Sequence, residues 1–194
     1  IRDRVASRGL GDVYKRQFEI LAAEAAQSPP GSKGLIVLPY FSGERTPIHD
    51  PKARGTIFGL DLTHNRGDIF RAFLEGIAMG TAQVFETYKA IGQNPKKIMA
   101  VGGGTKNNIW MQATSDFSKI DQVVSEKSTG ASYGNAFLAA LAVGAVSQRD
   151  ITRWNPPLSK IKTQHSTLHA EKNKLFRQLY ESSKEIAHAV ADST

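Results

Sequence analysis

Residues 101–112 read Val-Gly-Gly-Gly-Thr-Lys-Asn-Asn-Ile-Trp-Met-Gln and join two stretches of different character. Before the glycines, residues 97–101 form a short, largely apolar run that is typical of a buried strand. After them, Ile109, Trp110 and Ala113 recur at helical spacing. Glycine suits a backbone with positive φ or a ligand that approaches the main chain, and a helix N-terminus offers free N–H groups. The stretch therefore predicts a nucleotide-binding edge, with an ordinary tight turn as the alternative.

Two well-known nucleotide motifs are excluded here. A Rossmann fingerprint needs G-x-G-x-x-G, and counting from Gly102 places Asn107 where the third glycine should stand. A phosphate-binding P-loop needs Gly-Lys-Ser/Thr in that order, but residues 104–106 read Gly-Thr-Lys. A glycine triplet by itself does not distinguish a binding site from a tight turn, so the rest of the chain has to decide.

Composition limits the classes of function that remain. The 194 residues suffice for one domain with a full core, and no apolar run has the length needed to cross a bilayer. The lack of cysteine excludes disulfides and thiolate metal sites and favours a reducing, cytoplasmic setting. Of the net charge of +7, residues 1–17 carry +3, since they hold five basic and two acidic residues. The remaining +4 is interspersed with acidic residues, which does not indicate nucleic-acid binding.

Residues 1–17 differ from the rest of the chain. They show no sustained helical or alternating period, and their sequence resembles translated adapter read-through. We interpret residues 1–17 as a non-native or disordered segment, with a basic, disordered native tail as the alternative. The domain proper is expected to span residues 18–194.

Strands and helices alternate along that domain. The pattern predicts strands at 35–38, 56–60, 97–101 and 122–125, and helices at 18–26, 65–91, from 128 onward and 170–191. Asn65 is predicted to cap the second helix, and Gly76 and Gly80 to mark close packing along it. The alternation indicates an α/β architecture with a mostly parallel sheet. Because ligands bind beyond the carboxyl ends of such strands, the glycine turn is favoured as a site.

Four stretches of this sequence resemble one family. Residues 55–76, Gly-Thr-Ile-Phe-Gly-Leu-Asp-Leu-Thr-His-Asn-Arg-Gly-Asp-Ile-Phe-Arg-Ala-Phe-Leu-Glu-Gly, look like the second signature of the FGGY carbohydrate kinases. Residues 38–47 resemble the loop that precedes this signature, residues 102–112 the adenosine motif, and residues 129–136 the small-residue helix. The resemblance covers residues 18–180, and within the family it is strongest to the xylulokinase-like group.

The resemblance implies a fold, a reaction and a set of partners. The fold would be the carboxyl-terminal, ATP-side domain of a two-domain sugar kinase, in the actin-like ATPase and ribonuclease-H-like superfamily. The reaction would transfer the γ-phosphoryl group of ATP, with Mg²⁺, to a hydroxyl of a small sugar or polyol, such as the pentulose xylulose. The family also suggests a homodimer, whereas neither nucleic acid nor membrane is expected as a partner.

The same resemblance assigns roles to residues. Gly103 and Gly104 match the turn that approaches the adenosine, where a side chain would collide with the ligand. Asn107 matches a position that hydrogen-bonds the nucleotide, although a plain N-cap role is equally consistent with its location.

Further polar residues are expected to be structural. Glu44 and Arg45 are predicted to form an ion pair, His64 to mark a helix entry, and Asp68 and Glu75 to act as helix-dipole and packing partners. The other histidines lack the spacing of metal ligands; they are His49, His165, His169 and His188.

The departures from the family limit what this chain is expected to do. The family's D-x-G-T/S phosphate loop and its G-G-G-D-N-type segment, which carries the catalytic Asp, have no counterpart in the 194 residues. We therefore assign no catalytic residue and expect no sugar phosphorylation by this chain alone. The alternative function is a non-catalytic nucleotide-binding or regulatory module of the same fold.

Overall fold

The computed structural model describes residues 10–127, 130–164 and 166–193, with only the backbone for residues 10–16. The expectations for residues 1–9, for the start of the small-residue helix at Ser128 and Thr129, and for His165 concern residues outside this description.

The described residues form helices joined by short strands. In chain order the elements are α1 (Leu10–Gln27), β1 (Ile36–Leu38), β2 (Thr56–Phe58), α2 (Arg66–Ala90), β3 (Ile98–Ala100), α3 (Asn108–Ser118), β4 (Gln122–Ser125), α4 (Ala131–Ala142), α5 (Ile151–Trp154), β5 (Pro157–Ile161) and α6 (Thr167–Asp192). None of the helices in the described ranges combines the length and apolar character needed to cross a membrane.

Most predicted elements are present; three differences are the start of α1, the strand β5 and the short helix α5 (Ile151–Trp154), of which the last two were not predicted. Helix α1 begins at Leu10 rather than at Phe18, so part of the segment interpreted as non-native or disordered is helical. Strand β5 was not predicted, because its residues are exposed or half-buried and show no alternation of buried and exposed positions. Strand β4 has the bounds that the sequence predicts.

The strands form two small sheets. Strands β1 and β2 pair antiparallel, whereas β3, β4 and β5 form a second sheet with β4 in the middle. In the second sheet β3 pairs parallel with β4, and β4 pairs antiparallel with β5. The prediction of a mostly parallel sheet was therefore wrong for the described strands. The β1–β2 pair and the pairing of β5 with β4 are both antiparallel, so only the β3–β4 pair has the predicted direction.

The chain divides into two compact units. One comprises Ile1–Ile77 and Glu171–Thr194, and the other comprises Ala78–Ala170. The first has a core in which Leu35, Val37 and Ala72 pack together with partly buried hydrophobic neighbours. The core of the second is formed by side chains from β4, α3 and the turn between them: Met111, Phe117, Ile120, Val123 and Val124.

Helix α2 begins with a reciprocal cap. The backbone N–H of Asp68 donates to Oδ1 of Asn65 at 3.1 Å, and the N–H of Asn65 donates to Oδ2 of Asp68 at 2.9 Å. Two N–H groups that have no partner within the helix are thereby satisfied. This arrangement confirms the capping role predicted for Asn65.

Gly76 and Gly80, both on α2, differ in their surroundings. A Cβ added at Gly76 would collide with the carbonyl oxygen of Val37 and lie 3.3 Å from the Val37 Cβ. At Gly80 an added Cβ would meet no heavy atom within 4 Å. The predicted close packing is confirmed for Gly76 and wrong for Gly80.

These two glycines make a matched pair for a stability measurement. We expect Gly76→Ala to lower the free energy of unfolding by about 1–3 kcal/mol, because the helix must move away from β1 to admit the methyl group. Gly80→Ala is expected to raise it by up to about 1 kcal/mol, because alanine is the better helix former. Urea unfolding followed by circular dichroism measures both, and equal effects at the two positions would contradict the packing at Gly76.

Candidate functional site

The glycine turn lies at the carboxyl end of β3 and is closed by its own hydrogen bonds. Gly102 has φ 90° and ψ −177°, and a short 3₁₀ turn at Gly103–Lys106 follows before α3 begins. The hydroxyl of Thr105 donates to the carbonyl of Gly102 at 2.7 Å, and the N–H of Asn107 donates to the carbonyl of Gly104 at 3.0 Å. The predicted order of strand, turn and helix is confirmed.

The three glycines are needed for different reasons. Gly102 has the positive φ that side chains rarely adopt. An added Cβ at Gly104 would lie 2.6 Å from the indole ring of Trp110, so packing within the protein already requires glycine there. At Gly103 an added Cβ would meet no heavy atom within 4 Å. Neither backbone conformation nor packing explains why glycine stands at position 103. Gly103 is also exposed.

Asn107 caps helix α3. Its Oδ1 accepts a hydrogen bond from the N–H of Trp110 at 3.1 Å, and its carbonyl accepts from the N–H of Met111 at 3.0 Å. The amide nitrogen Nδ2 of Asn107 has no hydrogen-bond partner among the described residues. The cap therefore uses the oxygen of this side chain and leaves its donor available to a ligand, so the two roles considered for Asn107 are compatible.

An open pocket of about 290 Å³ lies beside the turn. One wall is β3, and the other carries Gly104, Thr105 and Trp110, with further lining from α2, α3 and β4. Gly103 and Asn107 do not line this pocket. Of the predicted site residues, Gly104 therefore lies in the pocket wall, whereas Gly103 is exposed and Asn107 is half-buried at the start of α3.

Hydrogen bonds from β4 and from the segment after β5 hold helix α3 in place. The amide Nε2 of Gln122 donates to the carbonyl of Met111 at 2.5 Å and to the hydroxyl of Ser115 at 3.0 Å. The carboxylate of Asp116 accepts from the side chain of Gln112 at 2.8 Å and from the N–H of Gln164 at 2.6 Å. These bonds hold the helix whose N-terminus Asn107 caps, so the turn has a rigid support.

The predicted ion pair between Glu44 and Arg45 is not formed in the described structure. Oε1 of Glu44 instead accepts hydrogen bonds from the backbone N–H of Arg45 at 2.8 Å and of Thr46 at 3.1 Å. Adjacent residues in a tight turn direct their side chains apart, which sequence proximity does not reveal. The carboxylate thus serves the backbone of the turn, and the guanidinium of Arg45 makes no hydrogen bond or ion pair within the described residues.

The same loop is anchored at Asp50. Its carboxylate accepts from the hydroxyl of Tyr180 at 2.8 Å, from Nε2 of His188 at 2.8 Å and from the N–H of Lys52 at 3.0 Å. Burial alone would raise the pKa of Asp50, but the bonds from His188 and Tyr180 outweigh it and lower the pKa to about 2. Sequence reasoning missed this anchor, because Tyr180 and His188 lie on α6, far along the chain, and no local pattern connects them to Asp50.

His64, Asp68 and Glu75 have the structural roles that the sequence predicts. Nδ1 of His64 accepts from the N–H of Asp61 at 3.0 Å just before α2 begins. Asp68 is fully buried; burial opposes its charge, yet the N–H of Asn65 and the ammonium of Lys33 lower its pKa to about 2. Glu75 is also buried and accepts several hydrogen bonds within its unit.

The described residues contain no group of three or more His, Cys, Asp or Glu side chains that could hold a metal ion.

Residues 3–143 match the carboxyl-terminal domain of the FGGY family of carbohydrate kinases. This chain belongs to the FGGY family. Its fold is accordingly that of the carboxyl-terminal domain of these kinases, which is of the actin-like ATPase type. The matched range includes the glycine turn, the loop with Asp50, and the capped start of α2.

Individual members of the FGGY family agree with this assignment. The chain is 35% identical over 127 residues to xylulose kinase from Bacillus subtilis, covering 66% of this chain and 26% of that protein. It is 32% identical over 154 residues to gluconokinase from the same organism, covering 77% and 30%. Among solved structures, xylulose kinase from Rhodospirillum rubrum superimposes with a TM-score of 0.80 at 29% identity, over 92% of this chain and 36% of that one. The chain thus spans about a quarter to a third of these relatives.

Proposed function

We propose that this chain is the ATP-side part of a sugar kinase that transfers the γ-phosphoryl group of ATP to a hydroxyl of a small sugar. The similarity to xylulose kinases supports a pentulose such as xylulose as the acceptor. ATP would supply the phosphoryl group, with Mg²⁺ bound to its phosphates. A homodimer and a cytoplasmic location remain predictions.

The observation that carries the proposal is the combination of open space at Gly103 with the amide donor of Asn107, four residues later. That donor has no partner among the described residues. A purine nucleoside offers the acceptors that such a donor needs, and the missing Cβ lets it approach the main chain. In this proposal Gly103 and Gly104 adjoin the adenosine, and Asn107 donates to it while capping α3.

The chain alone is expected to bind nucleotide without catalysing transfer. Phosphoryl transfer depends on positioning and on a carboxylate that takes the proton of the acceptor hydroxyl. The 194 residues contain neither the D-x-G-T/S loop nor the segment that carries this carboxylate in the family. We therefore propose that both lie elsewhere in a complete kinase.

Isothermal titration calorimetry with ADP and a coupled kinase assay with D-xylulose and MgATP test both halves of this proposal. We expect saturable ADP binding and no turnover above the rate without protein. Turnover by the 194-residue chain would contradict its inactivity, and absence of ADP binding would contradict the site at the glycine turn. Ser182→Ala, at an exposed position of α6, provides a control variant that should bind ADP like the original chain.

A further inference from the structure

The pocket beside the glycine turn has a lining that favours one kind of ligand. It lies within the second unit of the chain, and none of the described residues that line it is charged. Its volume of about 290 Å³ is at the lower end of the range that holds small organic ligands, about 300–1,000 Å³. The pocket therefore suits a neutral molecule of one or two rings rather than a whole nucleotide.

The apolar part of the lining can hold a planar ring. Met99 and Val101 line the pocket from β3, and Trp110 belongs to the other wall. The indole lies close against the glycine turn, since an added Cβ at Gly104 would be 2.6 Å from it. Aromatic side chains bind other planar rings by offset stacking or by edge-to-face contact. The indole of Trp110 is thus a surface on which a planar ligand can rest.

Two hydroxyl groups in the lining can act only as hydrogen-bond acceptors. The hydroxyl hydrogen of Thr105 is donated to the carbonyl of Gly102 at 2.7 Å, and that of Thr114 to the carbonyl of Trp110 at 2.9 Å. A hydroxyl has one hydrogen, so each of these oxygens keeps only lone pairs for a ligand.

Gln122 adds a buried acceptor that the protein does not use. This lining residue is only 2% exposed, and its Nε2 donates to the carbonyl of Met111 and to the hydroxyl of Ser115. Its Oε1 has no hydrogen-bond partner among the described residues. A buried acceptor without a partner costs free energy, which a donor in the pocket would recover. Because Nε2 makes two bonds, the amide is held in place before a ligand binds.

These groups together define the chemistry of the ligand. A phosphate or a carboxylate would meet further acceptors there and no cation among the described lining residues. A neutral heteroaromatic amine provides the planar ring for Trp110 and the N–H donors for the acceptors. We propose that the pocket binds such a ring, with its amino group donating to Oε1 of Gln122. The base of the nucleotide proposed at the turn and a free heteroaromatic amine share this chemistry, so the proposal rests on the proposed function only if the ring belongs to the nucleotide.

Titration of the 194-residue chain with adenine and with purine, which is the same ring system without the amino group, tests the proposal. The readout is the indole N–H NMR signal of Trp110. The signal of Trp154, the other tryptophan of the chain, is the internal reference, because Trp154 does not line the pocket. We expect a saturable shift at Trp110, and binding of adenine that is about tenfold tighter than binding of purine, since only adenine donates to the buried acceptor.

Gln122→Met removes the acceptor and keeps an apolar side chain of similar length. We expect it to weaken adenine binding by about tenfold, to the affinity of purine, and to leave purine binding unchanged. Gln112→Met is the matched control: this glutamine also donates through Nε2, to Asp116 and to the carbonyl of Lys162, and does not line the pocket. Circular dichroism checks the fold of both variants. The comparison of adenine with purine on the original chain tests the proposal even if Gln122→Met does not fold.

Titration of adenine in the presence of saturating ADP separates the two sources of the ring. Competition assigns the pocket to the base of the nucleotide, and simultaneous binding assigns it to a free amine. No saturable shift at Trp110, equal affinities for adenine and purine, or a preference for adenine that persists in Gln122→Met would each overturn the proposal. ADP binding in those cases leaves the nucleotide proposal standing. Conversely, a chain that prefers adenine to purine but does not bind ADP keeps this pocket and loses the nucleotide site.

Discussion

The Gly103→Asp chain is expected to lose ADP affinity by at least about a hundredfold while its helical circular dichroism stays unchanged. The added side chain would occupy the space through which the nucleotide approaches the turn, and its charge would repel the phosphates at a cost of several kcal/mol. The fold should tolerate it, since a Cβ at Gly103 meets no heavy atom within 4 Å. Calorimetric titration with ADP measures the effect.

Two further variants make this result specific. Gly103→Ala adds only a methyl group and should weaken ADP binding less than the aspartate does. Ser182→Asp introduces the same charge at an exposed position of α6 and should leave affinity unchanged. Gly104→Asp is less informative, because the indole of Trp110 would clash with it even without ligand. Unchanged ADP affinity in Gly103→Asp would contradict the adenosine assignment.

The second large effect, on the free energy of unfolding, is expected at Glu75. Its carboxylate is the shared hydrogen-bond acceptor of a buried polar cluster. Its carboxylate accepts from the N–H of Gly31, the hydroxyl of Ser32 and Nε of Arg71, each at 2.9 Å. The ammonium of Lys172 lies 3.7 Å away, and burial lowers the pKa of this lysine. Glu75→Gln would leave the buried Lys172 and the half-buried Arg71 without their counter-charge, so we expect the free energy of unfolding to fall by about 3–5 kcal/mol.

Urea unfolding of three variants tests this expectation. Glu24→Gln, which removes a solvent-exposed pair with Arg66, should change stability far less than Glu75→Gln does. Adding Lys172→Met to Glu75→Gln should restore part of the loss, because it removes one of the uncompensated charges. If Glu75→Gln lowers the free energy of unfolding as little as Glu24→Gln does, the cluster does not depend on the Glu75 carboxylate.

Local signals were sufficient for much of the fold. Asn65 and Asn107 precede apolar residues at helical spacing, and both were found as helix caps. The short apolar run at 122–125 gave the bounds of β4, because a buried strand needs no partner to be recognised in sequence. The family signature at 55–76 added what periodicity could not, namely a class of enzyme.

The remaining features depend on contacts that sequence does not display. Gly104 is predicted to be a point of ligand approach, and that prediction stands; the contact of its position with the Trp110 ring is what spacing along the chain does not show. The carboxylate of Asp50 is bound by Tyr180 and His188, which come close to it only because α6 packs against the loop. Such long-range choices are set by packing and not by spacing along the chain.

The double use proposed for Asn107, as a helix cap and as a nucleotide donor, has a consequence for how such a domain can evolve. An aspartate at this position would still cap α3, and its charge would favour the helix N-terminus. It would lose the free amide donor, however, and would repel a nucleotide. A lineage could therefore abandon nucleotide binding through one substitution that the fold does not resist. We therefore expect some descendants of such a domain to keep the fold while no longer binding nucleotide.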